Sequence, residues 1–201
     1  IALVEFRDQL YIMCENQILP YTFIGGNNFV FQYQPNSTIP SGIEGKWSKT
    51  TLRQSICYLG GGKEESPAVW LTTGGYPQKI SDESIDYIIR GDALIDKAWI
   101  QSFSIDGGEF IDLRVGVHCF IYDLSTGRWH QRSSRVNGSD IPWRANSIVK
   151  AYGKLYSGDS SDGRIGVVDN SNTEYQNQVH RSFIMQPFDN KGRHIPLKSI
   201  V

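Results

Sequence analysis

The sequence predicts an all-β protein, a β-propeller-like stack of about four four-stranded antiparallel blades. Three observations lead there. The stretch from Trp143 to Asp169 reads as three short strands, Ile148 to Tyr152, Leu155 to Gly158 and Ile165 to Val168. Gly153 and the run Asp159-Ser160-Ser161-Asp162-Gly163 divide them. Glycine supplies positive φ, and Asp and Ser bond their own backbone, so such clusters reverse the chain. The same kind of unit recurs: strand pairs at Leu10-Tyr11, Val69-Trp70, Cys119-Phe120 and Leu155-Tyr156 stand 59, 50 and 36 residues apart. These spacings bracket the roughly 40–50 residue period of propeller blades. Finally, 20 Gly with nine Phe, five Trp and ten Tyr, and few long helical runs, favour strands and tight turns.

In chain order, residues 2–23 carry three short apolar runs broken at Arg7-Asp8 and Glu15-Asn16, and residues 29–33 a fourth after Gly25-Gly26-Asn27-Asn28. Residues 34–50 are rich in Pro, Ser, Gly and Thr and read as a loop. Arg53 to Leu59 and Ala68 to Thr72 are strands around the polar turn at Gly60-Gly61-Gly62. Ile85, Ile88 and Ile89 fall at helical spacing, which predicts a short helix with Ser81 or Ser84 as its cap. Ala98 to Ile105 returns to strand. Residues 110–133 give strands joined by Ser125-Thr126-Gly127-Arg128, a hairpin turn with its glycine. Residues 134–142 read as loop, as do Asn170 to Gln176, and Val179 to Met185 and His194 to Val201 read as strands.

A four-stranded sheet this small cannot keep both faces dry by itself. Radial stacking buries both, which accounts for strands apolar on both sides, such as Phe120-Ile121-Tyr122 and Ala68-Val69-Trp70-Leu71. The expected organisation is one propeller-type domain over 1–201 with blades at 1–50, 51–107, 108–142 and 143–201. The chain starts at Ile1 rather than Met, so it is expected to be a piece of a longer protein.

Charge is balanced, with 20 basic and 21 acidic residues. No dominant basic surface argues for sequence-blind wrapping of nucleic acid. Cys14, Cys57 and Cys119 are odd in number, far apart and set in strand-like runs. Reduced, buried thiols are expected, in keeping with assembly in a reducing cytoplasm. No apolar run has bilayer-spanning length, and no signal peptide is read, so no membrane contact is expected.

The run from Trp143 to Asp159, the blade from Pro67 to Ser81 and the hairpin from Asp123 to Arg132 resemble the packaged-DNA stabilization proteins of short-tailed phages, which are tail-hub accessory factors. The resemblance is most evident over residues 45–175. It implies a virion structural protein, assembled in the host cytoplasm, that adds to the tail below the portal after packaging and closes the DNA channel. The implied partners are portal or head-completion ring proteins, the tail needle and the tailspikes, together with self-association into a ring. Members of that family are longer than this chain. The resemblance carries over no catalytic residue.

The chemical constellations agree with a non-enzyme. His118, His130, His180 and His194 lack metal-ligand spacing. Asp159-Ser160-Ser161-Asp162-Gly163 looks like half of a calcium loop but lacks the third acid and the distal glutamate, so a plain turn is expected. Gly60-Gly61-Gly62-Lys63 lacks the phosphate-loop pattern and a following helix. No catalytic, cofactor or metal site is therefore expected. Residues 104–110 nearly match the Asp-box of sialidase propellers, and Arg114, Arg128, Arg144 and Arg164 would have to converge for sialidase chemistry. A glycan-binding or sialidase-like propeller is thus the alternative. The candidate interface is Arg128, Trp129, Arg132, Arg135, Trp143 and Arg144. Arginine and tryptophan dominate interface hot spots, and the same mixture suits non-specific contact with DNA phosphate.

Overall fold

A computed structural model describes residues 1–26, 30–169, 171, 173–175, 177–179 and 181. The expected strands at 179–185 and 194–201 lie outside these except for Val179 and Arg181.

The first sheet runs β1 (Ala2–Phe6), β2 (Gln9–Met13), β3 (Ile18–Phe23) and β4 (Phe31–Tyr33), in sequence order and antiparallel throughout. The second is β5 (Lys49–Thr51), β6 (Ile56–Gly60), β7 (Ala68–Thr72) and β8 (Gln78–Lys79). Helix α1 (Glu83–Gly91) links it to the third sheet, β9 (Trp99–Ile105), β10 (Gly108–Val115), β11 (His118–Asp123) and β12 (Arg128–Gln131). A hairpin of β13 (Ser133–Val136) and β14 (Ser139–Pro142) leads to a three-stranded sheet of β15 (Ala145–Ala151), β16 (Lys154–Asp159) and β17 (Ile165–Val167). β18 (Thr173–Glu174) and β19 (Asn177–Gln178) form a last small pair. The protein is all-β, built from propeller-type blades.

Three expectations are corrected. The division at 107/108 cuts a hairpin: β9 and β10 pair along their length, from Gly108 with Ile105 to Arg114 with Trp99. Asp106 and Gly107, at φ 50° and 83°, form the two-residue turn between them. The third blade therefore begins at Trp99. β5 overlaps the end of the stretch read as loop, so the second blade begins at Lys49 rather than 51. Residues 134–142 form most of the β13–β14 hairpin, turned by Asn137 and Gly138 at φ 51° and 83°.

α1 forms where its isoleucine spacing predicts. Ile85 and Ile89 are buried and join the core between the second and third blades. The cap is neither serine. Asp82 holds extended backbone and its carboxylate accepts from the Ile85 N–H at 2.9 Å. Ser81 instead accepts from the Val69 N–H with its hydroxyl.

Strand alternation assigns each side chain to one joint between blades. Val4, Tyr11, Met13 and Ile18 meet Ile56 and Tyr58 of the second blade. From the other face of that blade, Cys57, Leu59 and Val69 meet Ile100, Ile111, Leu113 and Phe120 of the third. The third blade's opposite face gives Phe103, Cys119 and Ile121 to a core with Trp143 and Leu155. Every residue of β6 is buried because both its faces are used. At Gly60 and Gly42 backbones approach so closely that a Cβ on Gly60 would strike the Gly42 carbonyl.

Each four-strand meander enters and leaves at the same end. The long connections, residues 34–48, 80–98 and 132–144, therefore all lie at one end of the stack. The turns between first and second strands lie at the other, including Arg7-Asp8, Asp106-Gly107 and Tyr152-Gly153, each with both residues at positive φ. Across neighbouring blades that end is tied by Arg7 donating to the Gln54 carbonyl and by the Arg53 N–H donating to Glu109.

Candidate functional site at the third joint

Within β10 the stretch Ile111-Asp112-Leu113-Arg114-Val115 alternates apolar and charged residues. Its apolar set faces the second blade, so Asp112 and Arg114 are turned toward the fourth. Asp112 is fully buried. Its carboxylate accepts from Gln101 Nε2 at 2.7 Å, from Arg114 Nη2 at 3.1 Å and from the Cys119 thiol at 3.0 Å. Arg114 crosses the joint, donating to the backbone carbonyls of Trp143 and Ala145. Gln101 crosses it too, accepting from the Ile148 N–H at 2.9 Å. The buried carboxylate is thus paired and hydrogen-bonded, the condition for tolerating a charge in a dry joint.

Trp143 covers this network. Its ring lies 4.8 Å from the Arg132 guanidinium and 5.6 Å from that of Arg114, and Arg114 also stacks at 5.2 Å on Trp99. Burial pushes the Cys119 thiol well up, and the neighbouring Asp112 carboxylate pushes it further. Burial also raises Cys57. Both are buried free thiols, whereas Cys14 is only half-buried.

Beside Trp143, Arg144 points into the 159–163 turn. It reaches Asp159 and Asp162, each at 2.8 Å, and Arg164 also pairs with Asp162, at 2.6 Å. The Asp159 carboxylate accepts from the Ser161 and Asp162 N–H groups, as in an Asx turn. Both carboxylates of this turn are thus paired with guanidinium groups. The Arg164 hydrogen bond is the main cause of an Asp162 pKa lowered to about 2, with Arg144 adding to it. For Asp159, burial works upward but is outweighed by the Ser161 N–H, Arg144 and Tyr175, and the net direction is down. Tyr175 lies under both arginines, at 3.9 Å from Arg164 and 5.2 Å from Arg144.

The six candidate interface residues do not share one surface. Trp143 and Arg144 are buried in the third joint and its adjoining turn. Trp129 is half-buried and faces the opposite joint, donating to the Ile80 carbonyl at 2.7 Å and packing against Tyr122. Arg135 lies on the β13–β14 hairpin, 3.6 Å from Asp140. Arg128 is exposed, and Arg132 is half-buried over Trp143. Arg132, Trp143, Asp140, Glu174 and Tyr175 line a groove of about 790 Å³. The residues missed by sequence reasoning are Asp112 and Gln101. The available signal was two opposite charges, Asp112 and Arg114, two apart on one face of an otherwise apolar strand. Of the arginines that sialidase chemistry would need together, Arg144 and Arg164 meet on Asp162, whereas Arg114 is committed to Asp112. No group of three or more His, Cys, Asp or Glu fit to hold a metal occurs among the described residues.

Comparison with curated proteins gave no match. Among solved structures, a GH43 glycoside hydrolase engineered for both endo-xylanase and exo-arabinofuranosidase activity is similar at 13% identity and a TM-score of 0.40. The match covers 85% of this chain but only 39% of that one, so this chain spans well under half its length. The family model described as bacteriophage P22 Gp10, β-propeller, matches residues 1–173. That interval takes in the three four-stranded blades, the joints between them and the whole Asp112–Arg114–Trp143 lock. The chain belongs to the bacteriophage P22 Gp10 β-propeller family.

Proposed function

We propose that the chain is a structural part of a phage tail that assembles below the portal, closes the DNA channel and stabilises the packaged genome. In this reading it links a portal or head-completion ring to the tail needle and tailspikes, self-associates into a ring, and resides in the virion after assembly in the host cytoplasm. The observation that carries it is the family match over residues 1–173. The site chemistry supports a scaffold rather than a catalyst. Trp143, Asp112 and Arg114 are engaged with one another or with the backbone across a blade joint, and Arg144 is held by Asp159 and Asp162. This joint is stiff because it is a packed apolar layer whose buried carboxylate, Asp112, is paired and hydrogen-bonded. Exposed Arg128 remains to meet a partner or DNA phosphate.

The test is to mix the full-length protein with purified portal rings and image the product by electron microscopy. A stoichiometric complex below the portal is expected, and failure to bind counts against the tail reading. A sugar-hydrolysis screen on the same preparation provides the opposite check, since robust turnover would overturn the structural role.

A further inference from the structure

Asn137-Gly138 is the one Asn-Gly pair in the chain. It forms the two-residue turn of the β13–β14 hairpin, between the register partners Val136 and Ser139. Both turn residues are exposed. Among the described residues the Asn137 side chain makes no hydrogen bond, and the Gly138 N–H makes none either. A Cβ on Gly138 would meet nothing within 4 Å, so the space beside its nitrogen is open.

We propose that Asn137 is a site of self-modification, converting through a succinimide to aspartate and isoaspartate. Hydroxide takes the Gly138 amide proton, and the nitrogen attacks Asn137 Cγ. The N–Cγ bond forms and the Cγ–Nδ2 bond breaks. Nδ2 leaves as ammonia, taking a proton from water and so returning the hydroxide. A second water then opens the ring. Opening at Cγ leaves aspartate with the main chain restored. Opening at the Asn137 main-chain carbonyl leaves isoaspartate, with the former side chain now carrying the backbone. Water is the one co-reactant, and nothing is oxidised or reduced.

The backbone of the folded hairpin permits this chemistry. A planar five-membered ring holds Cβ and the Gly138 nitrogen on the same side of the Asn137 Cα–C bond. That sets ψ at about −120°, the value at the first central position of a type II′ turn. The position needs positive φ, and Asn137 already stands at 51°. Gly138, at 83°, gives the present type I′ form, and without a Cβ it takes negative φ as readily. A flip of the single peptide plane between them therefore reaches the ring geometry while Val136 and Ser139 stay paired. The two aspartates followed by glycine differ. Asp106 and Asp162 are carboxylates, weaker electrophiles than an amide. Asp162 is also held by Arg144 and Arg164, and the Gly163 N–H donates to the Asp159 carbonyl. The hairpin lies on the connection between the third and fourth blades, where the Ser134 hydroxyl accepts from the Arg144 N–H at 3.0 Å. Either product adds one negative charge there, and isoaspartate also adds a carbon to the main chain, so the change runs one way.

The test is to age the native protein at mildly alkaline pH, then map its peptides by mass spectrometry and label it with an isoaspartate-specific methyltransferase. Conversion is expected at Asn137 ahead of Asn36 and Asn146, each of which is followed by serine. The native rate should fall within about tenfold of the rate in concentrated urea, because the flip exchanges one favoured hairpin turn for another. Asn137→Gln, whose ring would need six members, should remove the methyltransferase label and leave the far-ultraviolet circular dichroism unchanged. A native rate more than about tenfold below the urea rate overturns the inference, since the hairpin turn would then protect the site rather than permit the reaction. Earlier conversion at another asparagine overturns it too, as does a label that persists in Asn137→Gln.

Discussion

The Arg132 guanidinium lies over the Trp143 ring at 4.8 Å, joining the strand that leaves the third blade to the residue that enters the fourth. Trp143 is 8% exposed and packs with Phe103, Cys119, Ile121 and Leu155. Replacing it with alanine removes that filling and both cation–π contacts, which for a buried tryptophan costs about 3–5 kcal/mol. Trp143→Phe should cost less than half as much. Urea unfolding would measure both, and a Trp143→Ala midpoint equal to that of the parent would refute the packing role.

Asp112 and Arg114 form a buried pair, so removing one side strands the other. Asp112→Ala should destabilise by about 3–5 kcal/mol, because Arg114 and Gln101 lose their shared acceptor. Arg114→Met in the same background should recover part of that loss, since an apolar side chain of similar length does not need the carboxylate. Additive losses in the double variant would show that the two residues act separately.

Acid should loosen the turn around Asp159 and Asp162 late. Both carboxylates titrate below their unfolded value, Asp162 at about 2. A depressed folded pKa stabilises the native state above the unfolded pKa, near 4. That contribution disappears as pH falls from about 4 to about 2. Asp162→Asn should flatten the pH dependence of unfolding in that window and leave it unchanged above pH 5. Thermal melts from pH 2 to 7 would decide it.

Tyr152 sits at φ 48° and is 96% exposed. An aromatic side chain gains nothing there from burial and bears the strain of a left-handed backbone. Tyr152→Asn should therefore stabilise the chain by about 0.5–1 kcal/mol, measured by denaturant unfolding. A loss of stability would mean that the ring makes a contact that outweighs the strain.

The blades were legible because a two-residue period bounded by Gly, Asp and Asn marks short strands strongly. The boundary at 107/108 failed for the same reason. Asp106-Gly107-Gly108 looks like a separator, yet only Asp106 and Gly107 turn the chain, and Gly108 already belongs to β10. The 134–142 hairpin was passed over because Ser133, Ser134 and Arg135 look like loop, although Asn137-Gly138 is a strong turn signal. β5 is three polar residues, legible only once β6 is beside it. At the site, composition pointed to Trp143 and Arg144 but could not tell a surface from a joint. That depends on which side of the strand faces the next blade, and it emerges only when Arg114 and Asp159 are seen to reach them.

The crowding of the long connections at one rim gives the molecule a direction. One rim carries a strap, a helix and a hairpin, and the other holds the first-to-second-strand turns, three of them only two residues long. A neighbour standing on the blade axis meets different chemistry depending on its side of approach. The two faces along that axis are therefore not interchangeable.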